Sequence, residues 1–297
     1  MTMLMQQNIN HTDISYHMHE YTLADVEKGR RTGQIVLDLR IGARQDPGIR
    51  RRYRPNEDTI LITRGLMPSA SLSTPPKPFV LLVVADGMGG QGHGQEASQI
   101  AVQSLTEYVS GSLGAQQRLP EDFLPLLRAG VQSANRVVYE RNQQQETVMG
   151  TTMTAVLVIE ATAYVAHVGD SRLYLHREPA GLVQVTRDHS AVAVLVAEGI
   201  IAPDDIYTHP MRNRIYRSLG EEATVEVDAS AVPLEALDKL LLCSDGLWEM
   251  VRDPQIAAIV ATRMSTPSET AQALIQVALA GGGDDNVSAI VAQVSKV

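Results

Sequence analysis

Hydrophobic and polar residues follow two different periods along this chain, and each period predicts one kind of element. Apolar and polar side chains alternate at 37–41, as they do in a strand with one buried face. The wholly apolar run 79–85 predicts a strand buried on both faces, followed by a glycine-rich loop and then by helical spacing. A second helix is expected at 121–145, because Pro120 directly before it suits a helix start.

Strands dominate the rest of the chain, and its last helices come as a pair. Further strands are predicted at 153–160, 162–169, 172–178, 182–186, 239–244 and 287–294, and the helix pair at 253–264 and 268–279. A stretch rich in proline and serine at 67–78 predicts a surface loop. Strands joined by short turns, with helices arriving in pairs, favour an α+β fold of antiparallel sheets over a doubly wound parallel sheet.

The composition predicts a single large domain with a short extension before it. Residues 1–32 show no apolar period, so we expect an N-terminal extension at 1–32 and a domain at 33–297. No stretch reaches the roughly 20 apolar residues of a membrane span, and the first ten residues lack signal-peptide features. We therefore expect a soluble, cytoplasmic protein. The single cysteine, Cys243, excludes a disulfide framework and thiolate-rich metal sites, leaving oxygen or histidine ligands for any metal.

Charge is distributed unevenly along the chain, whose formal net charge is −9. Residues 28–54 contain nine basic and two acidic residues, a local charge of +7 that leaves −16 on the remainder. This pattern describes a basic arm on an acidic body. One hypothesis is that the arm binds nucleic acid, but the arginines at 50–54 adjoin a candidate acidic site and only Tyr53 is an aromatic residue among them. We therefore expect no nucleic-acid partner and no membrane partner.

Four aspartates occur at the ends of predicted buried strands. Asp86, Asp170 and Asp245 each follow such a strand, and Asp285 lies just before another. For any one of them a plain Asp-Gly type turn is the ordinary interpretation. If several converge, their mutual repulsion calls for divalent cations, and hard oxygen ligands select magnesium, manganese or calcium. The glycine-rich loop 87–94 fits neither the dinucleotide pattern nor the P-loop pattern.

Eight segments occur in an order that resembles the metal-dependent protein phosphatases (the PPM family, protein phosphatase type 2C) in their bacterial form. They are 55–62, 83–98, 149–158, 166–175, 185–190, 215–220, 240–251 and 281–291, and the resemblance runs from about residue 33 to the C-terminus. It implies a four-layer α-β-β-α sandwich, in which two antiparallel sheets are flanked by helix pairs. It also implies that residues 191–220 form a flap beside the active site.

The resemblance further implies two bound Mg²⁺ or Mn²⁺ ions and a third, weaker one. Asp86 would bridge the two core ions, and the backbone carbonyl of Gly87 would join the first. Asp245 and Asp285 would bind the second, while Asp170 would share the third ion with Asp245. A hydroxide bridging the two core ions would then hydrolyse phosphoserine and phosphothreonine in proteins without a phosphoenzyme.

The catalytic residues implied by the resemblance lie just before these ligands. Asp58 would lie near the metal-bound waters, with Glu57 beside it. The family's phosphate-binding arginine has no direct match, because its position is occupied by Tyr53. We predict that Arg52 takes that role, with the flanking arginines 54 and 51 as alternatives. Elsewhere, Thr151 and Thr152 are expected to tie neighbouring backbone, His189 to form structural hydrogen bonds, and Cys243 to pack in the core.

Two functions remain in view. The first is a protein serine/threonine phosphatase that acts on phosphoproteins and opposes a serine/threonine kinase. The alternative is a pseudophosphatase that keeps the fold as a regulatory binding module. Pseudophosphatases typically lose metal ligands, whereas every expected aspartate is present in this sequence. The sequence therefore favours the enzyme.

Overall fold

Two antiparallel β-sheets form the centre of the computed structural model, which describes residues 14–15, 38–68, 75–89, 92–115, 120–263 and 265–295. The strands are β1 (Ile14–Ser15), β2 (Leu39–Asp46), β3 (Asp58–Met67), β4 (Lys77–Met88), β5 (Gly150–Thr151), β6 (Met153–Ile159), β7 (Thr162–Val168), β8 (Arg172–Arg177), β9 (Gly181–Gln184), β10 (Asp228–Pro233), β11 (Lys239–Cys243) and β12 (Val287–Val294). The α-helices are α1 (His93–Ala115), α2 (Pro120–Asn142), α3 (Ala191–Ala197), α4 (Asp245–Trp248), α5 (Asp253–Val260) and α6 (Pro267–Ala280), and a 3₁₀ helix spans Pro203–Tyr207.

The first sheet has the strand order β10-β7-β6-β4-β3, with β5 paired to the end of β4. The second has the order β1-β2-β12-β11-β8-β9. Every described pairing within these sheets is antiparallel. The central strands are buried on both faces, which explains why β4, β6 and β12 read as nearly unbroken apolar runs in the sequence.

Strand β4 shows how the apolar runs build three separate cores. Its residues Leu81 and Val83 pack in a core with helices α1 and α2, whereas Leu82 and Val84 pack between the two sheets. Alternate residues of a strand point to opposite faces, so one apolar strand serves both cores. A third core lies between the second sheet and helices α4 to α6. The molecule is thus the four-layer α-β-β-α sandwich expected from the sequence.

Local signals account for the helix boundaries. Helix α6 starts at a capping box, in which the Thr266 hydroxyl accepts a hydrogen bond from the Glu269 backbone N–H and the Glu269 carboxylate accepts one from the Thr266 N–H. Helix α2 starts at Pro120, one residue before the predicted start, and ends at Asn142, three residues before the predicted limit. Helix α5 ends at Val260, four residues before the predicted limit at residue 264, which lies outside the described residues.

Part of the predicted extension joins the sheet. Ile14 and Ser15 pair with Ala43 and Gly42 of β2, so two residues of the 1–32 segment form an edge strand. The remaining residues of that segment, together with residues 33–37 and the 69–74 part of the proline-rich loop, lie outside the described residues. None of the helices in the described ranges combines the length and apolar character that crossing a membrane requires.

Replacing Leu82 by alanine should lower the free energy of unfolding by about 2–5 kcal/mol, since it removes a fully buried side chain between the sheets and leaves a cavity. Leu66→Ala on neighbouring strand β3 is the matched control, because Leu66 is 47% exposed, and it should change that free energy by only about 0.5 kcal/mol. Urea unfolding monitored by circular dichroism measures both. Equal effects for the two variants would contradict the inter-sheet core.

Candidate active site

Five aspartates lie at the same end of the two sheets. Asp58 opens β3 and is paired directly across from Asp86, near the end of β4. Asp170 follows β7 in the same sheet. In the second sheet Asp245 follows β11 and Asp285 precedes β12, and these two strands are antiparallel neighbours. Because the end of one antiparallel strand lies beside the start of the next, the fold brings together aspartates that are far apart in sequence.

Asp58 links the two sheets through serine hydroxyls. Its Oδ2 accepts hydrogen bonds from the hydroxyls of Ser244 at 2.7 Å and Ser288 at 2.6 Å, both of which belong to the second sheet's side of the site. The Ser244 hydroxyl in turn accepts a hydrogen bond from the Ser288 backbone N–H at 3.0 Å. Asp58 Oδ1 is buried and has no hydrogen-bond partner among the described residues. This oxygen is therefore available to a group that the protein itself does not supply.

The backbone of Asp86 is fixed by two threonines, as the sequence predicted. The Asp86 N–H donates to the Thr152 hydroxyl at 2.9 Å, and the Thr151 hydroxyl donates to the Asp86 carbonyl at 2.9 Å. The Thr152 N–H also donates to that carbonyl, at 2.8 Å. Asp86 is thus positioned through its main chain, while its carboxylate is hydrogen-bonded to the Asp245 side chain.

Two glycines let the backbone beyond Asp86 approach helix α1 closely. A Cβ on Gly87 would lie 1.9 Å from the Gly94 carbonyl oxygen, and one on Gly94 would lie 2.5 Å from the Gly87 oxygen. Neither position can hold a side chain without moving backbone. The Gly87 N–H donates to the Glu57 carbonyl at 3.1 Å, and this carbonyl also accepts from the Ser98 hydroxyl at 2.7 Å. The glycine loop is therefore locked against the segment that carries Asp58.

Arg51 is the arginine that reaches the acidic group. Its Nη1 lies 2.8 Å from Asp285 Oδ1 and 3.1 Å from Glu57 Oε2. The predicted Arg52 instead lies on the outside, where its guanidinium carbon is 4.7 Å from the centre of the Tyr53 ring. Arg54 is also exposed. The structure brings Arg51 to the carboxylates and leaves Arg52 beside Tyr53, away from them.

Crowding and burial raise the pKa values of the aspartates. Burial, opposed by hydrogen bonds from the two serines and reinforced by the charges of Asp245 and Asp285, raises the pKa of Asp58 to about 7. Burial and the charge of Asp285 raise the pKa of Asp245 to about 6. Burial and the surrounding carboxylates raise the pKa values of Asp86 and Asp170 well above the ordinary range. Without a cation, these aspartates therefore retain their protons to higher pH than isolated aspartates do.

The loop that carries Asp170 is held by two side chains from other segments. The Trp248 indole N–H donates to the Asp170 carbonyl at 3.0 Å, and the Gly169 N–H donates to His189 Nδ1 at 3.0 Å. His189 Nε2 lies 3.2 Å from Asp228 Oδ2, so the ring forms structural hydrogen bonds on both sides, as predicted. The Asp170 carboxylate, like that of Asp86, is positioned through the backbone around it.

An ion pair joins segment 191–220, the predicted flap, to the acidic group. This segment contains α3 and the 3₁₀ helix, and Arg212 Nε lies 3.6 Å from Glu249 Oε2. Glu249 follows α4, four residues after Asp245. Burial and the charge of Asp245 raise its pKa to about 7, although Arg212 opposes the shift. Glu249 thus belongs to the acidic group, and its i, i+4 spacing from Asp245 is the sequence signal that could have identified it.

Comparisons with known proteins identify the family of this chain. A family model described as protein phosphatase 2C matches residues 69–280. The chain belongs to the protein phosphatase 2C family. The serine/threonine phosphatase stp of Listeria welshimeri is 37% identical over 215 residues, which cover 72% of this chain and 84% of that protein. PstP, a serine/threonine protein phosphatase of Mycobacterium tuberculosis, is 36% identical over 264 residues, which cover 88% of this chain and 46% of PstP.

Solved structures extend the similarity to the fold. The crystal structure of the M. tuberculosis serine/threonine phosphatase PstP/Ppp matches with a TM-score of 0.72 at 34% identity, covering 88% of this chain and 100% of that one. The catalytic domain of PstP in complex with two manganese ions matches with a TM-score of 0.71, at the same identity and coverage. Our chain is accordingly a metal-dependent protein serine/threonine phosphatase.

The donor set of this phosphatase fits hard divalent cations. Its carboxylates are oxygen donors, and two buried oxygens, Asp58 Oδ1 and Asp245 Oδ1, lack hydrogen-bond partners among the described residues. The same described ranges contain no set of three or more His, Cys, Asp or Glu side chains already arranged to hold a metal ion. The fit therefore rests on the oxygen chemistry of these donors and on their placement at one end of the two sheets.

The stability difference between Asp58→Asn and the metal-free wild type should depend on pH. The pKa of Asp58 is raised to about 7 in the folded protein. Protonated Asp58 therefore stabilises the folded state at low pH, and this stabilisation is lost as pH rises toward 7. Asparagine resembles the protonated acid and still accepts from both serines. The variant should therefore gain stability relative to wild type, on the order of 1 kcal/mol per pH unit between about pH 5 and 7, and level off above.

Urea unfolding in EDTA across this pH range measures that difference. Comparing variant with wild type removes the opposite contribution of buried His167, whose pKa is lowered to about 3 mainly by burial. Glu140→Gln on the exposed face of α2 provides the control, and its stability difference from wild type should stay constant. A pH-independent difference for Asp58→Asn would show that the Asp58 pKa is not raised.

Proposed function

We propose that this phosphatase hydrolyses phosphoserine and phosphothreonine in proteins by direct attack of a water-derived hydroxide on phosphorus. The observation that carries the proposal is the set of buried carboxylates at one sheet end whose oxygens, Asp58 Oδ1 and Asp245 Oδ1, have no hydrogen-bond partner among the described residues. A carboxylate at such a position is costly unless a cation accompanies it. The arrangement therefore suits two divalent ions and a phosphate dianion.

Five groups of the chain would hold the ions. Asp86 would bridge the two core ions, the Gly87 carbonyl would join the first, and Asp245 and Asp285 would bind the second. Asp170, whose pKa is raised in part by the charge of Asp245, would share a third ion with Asp245. When bound, Mg²⁺ or Mn²⁺ would supply a hydroxide bridging the core pair at neutral pH and would neutralise the phosphate charge. Support comes from the two manganese ions in the related PstP catalytic domain.

Other residues would orient the reactants. Asp58 Oδ1 would accept a hydrogen bond from the attacking water, since its Oδ2 is already held by two serines. Glu57 holds Arg51 in place by an ion pair. No side-chain nucleophile is required: Cys243 is fully buried in the third core, and burial raises the pKa of its thiol. The reaction would then proceed without a phosphoenzyme.

Arg51 is our candidate for binding the substrate phosphate. The guanidinium group suits bidentate recognition of phosphate, and Arg51 is the arginine that lies within 2.8 Å of Asp285. Cations on the aspartates would weaken that ion pair and free the guanidinium for the substrate. Arg52, the choice from sequence, and Arg54 remain alternatives. The enzyme would act on phosphoproteins and oppose a serine/threonine kinase.

Replacing Asp86 or Asp245 by alanine should abolish phosphopeptide hydrolysis while the protein stays folded, because each change removes a metal ligand and relieves repulsion. Phosphate release with Mn²⁺ present, with EDTA as the negative control, measures this loss. Exposed Asp204→Ala in the flap is the control for removing one acidic charge and should retain activity. Activity of the Asp86 variant within about tenfold of wild type would refute the assignment. Inactivity of the wild type with Mn²⁺ would favour the pseudophosphatase.

Arg51→Ala should raise KM for an aryl phosphate by about tenfold, on the scale of a lost charge-assisted hydrogen bond, whereas Arg52→Ala should have a much smaller effect. Steady-state kinetics at saturating Mn²⁺ measure both values of KM. The apparent Mn²⁺ affinity should be measured in parallel, because Arg51 also contacts Asp285. A larger effect of Arg52→Ala would restore the prediction made from sequence.

A further inference from the structure

The turn between β2 and β3 is firmly attached to the rim of the proposed active site. The Arg50 N–H donates to the Gly283 carbonyl at 3.1 Å, and Arg50 Nε lies 3.0 Å from Asp284 Oδ1. The Asn286 side chain donates to the Pro47 carbonyl at 2.9 Å. These partners surround Asp285 in sequence. The turn therefore keeps a defined position beside a proposed metal ligand.

The four arginines of this turn, 50, 51, 52 and 54, differ in whether their charge is neutralised. Arg50 pairs with Asp284, and Arg51 pairs with Asp285 and Glu57. Arg52 and Arg54 are exposed and form no ion pair with any described residue. Tyr53 between them is 87% exposed, and Arg52 lies against its ring. Two unpaired cations and an exposed aromatic ring thus face solvent at the mouth of the site.

We infer that Arg52, Tyr53 and Arg54 recognise anionic side chains that flank the phosphorylated residue of the substrate. This inference rests on the proposed function, because the substrate must place its phosphate among the aspartates and its neighbouring residues over the rim. An acidic side chain or a second phosphorylated residue would meet the two free guanidinium groups there. Opposite charges across a contact raise both affinity and the rate of encounter.

The same charges favour a peptide over a nucleic acid. Nucleic-acid binding commonly draws on many phosphate contacts, whereas this turn offers two unpaired cations next to a strongly acidic group. A peptide that carries one or two acidic residues beside its phosphate matches both the number and the position of those cations. The turn therefore sets sequence preference around the phosphorylated residue, while Arg51 and the metal site act on the phosphate itself.

The test compares phosphothreonine peptides that differ only in flanking charge. One peptide has glutamates on both sides of the phosphothreonine, one has glutamines at the same positions, and one has a second phosphothreonine. The wild type should prefer the glutamate and doubly phosphorylated peptides over the glutamine peptide. In Arg52→Ala/Arg54→Ala the ratio of kcat/KM for glutamate over glutamine peptide should fall by about fivefold. A fourth peptide has lysines at the flanking positions, and Arg52→Glu/Arg54→Glu should prefer it over the glutamate peptide.

Arg128→Ala on the exposed face of α2 is the matched control and should leave the ratio unchanged. High salt should reduce the wild-type preference, because it screens exposed charges. An equal preference in wild type and double variant, with the wild type hydrolysing an aryl phosphate, would overturn this inference and leave the proposed function intact. No hydrolysis of any substrate with Mn²⁺ would overturn both. Inhibition by single-stranded DNA that depends on these arginines, without a flank preference, would assign the surface to nucleic acid.

Discussion

Electrostatic repulsion among carboxylates at one end of the sandwich is the constraint on which the rest of the site depends. Asp58, Asp86 and Asp245 come from different strands or strand ends, and burial and mutual charge raise all three pKa values. A fold that gathers such groups must hold them in place with uncharged partners. The structure does so through neutral groups: serine hydroxyls donate to Asp58, the Thr151 hydroxyl donates to the Asp86 carbonyl, and the Thr152 hydroxyl accepts from the Asp86 N–H.

A buried cation close to this group is kept from neutralising it. Arg172 forms a bidentate pair with Asp188, with Nη2 to Oδ2 at 2.7 Å and Nε to Oδ1 at 3.0 Å, and its guanidinium lies 3.7 Å from the Trp248 ring. Planar contacts on several sides fix the guanidinium orientation. Arg172 lowers the pKa of Asp170 only as a minor influence, below burial and the nearby acidic groups. The pKa of Asp170 therefore stays raised although a buried cation lies nearby.

The sequence predicted the parts of this fold that depend on periodicity. Apolar runs predicted the strands of both sheets, and the alternating stretch 37–41 overlaps β2, which begins at Leu39. The sequence could not predict strand Ile14–Ser15, because two residues are too few to show a period and their pairing with β2 depends on tertiary contact. Ser244 and Ser288 were missed for a related reason. They are small polar residues beside buried strands, and their role becomes visible only when the two sheets are packed.

The basic segment shows why charge counted along a sequence differs from charge in space. Counted in order, residues 28–54 form one positive arm. In the structure Arg44 lies on a strand with its Nε 2.6 Å from the Gln272 side-chain oxygen, and Arg50 and Arg51 are paired with carboxylates. Pairing in this way shortens the range of their fields, because each pair presents a dipole rather than a charge. The positive potential near the site is therefore concentrated where arginines lack such partners. These arginines lie at the rim of the carboxylate group, so they would attract anionic groups toward the site proposed to bind the phosphate.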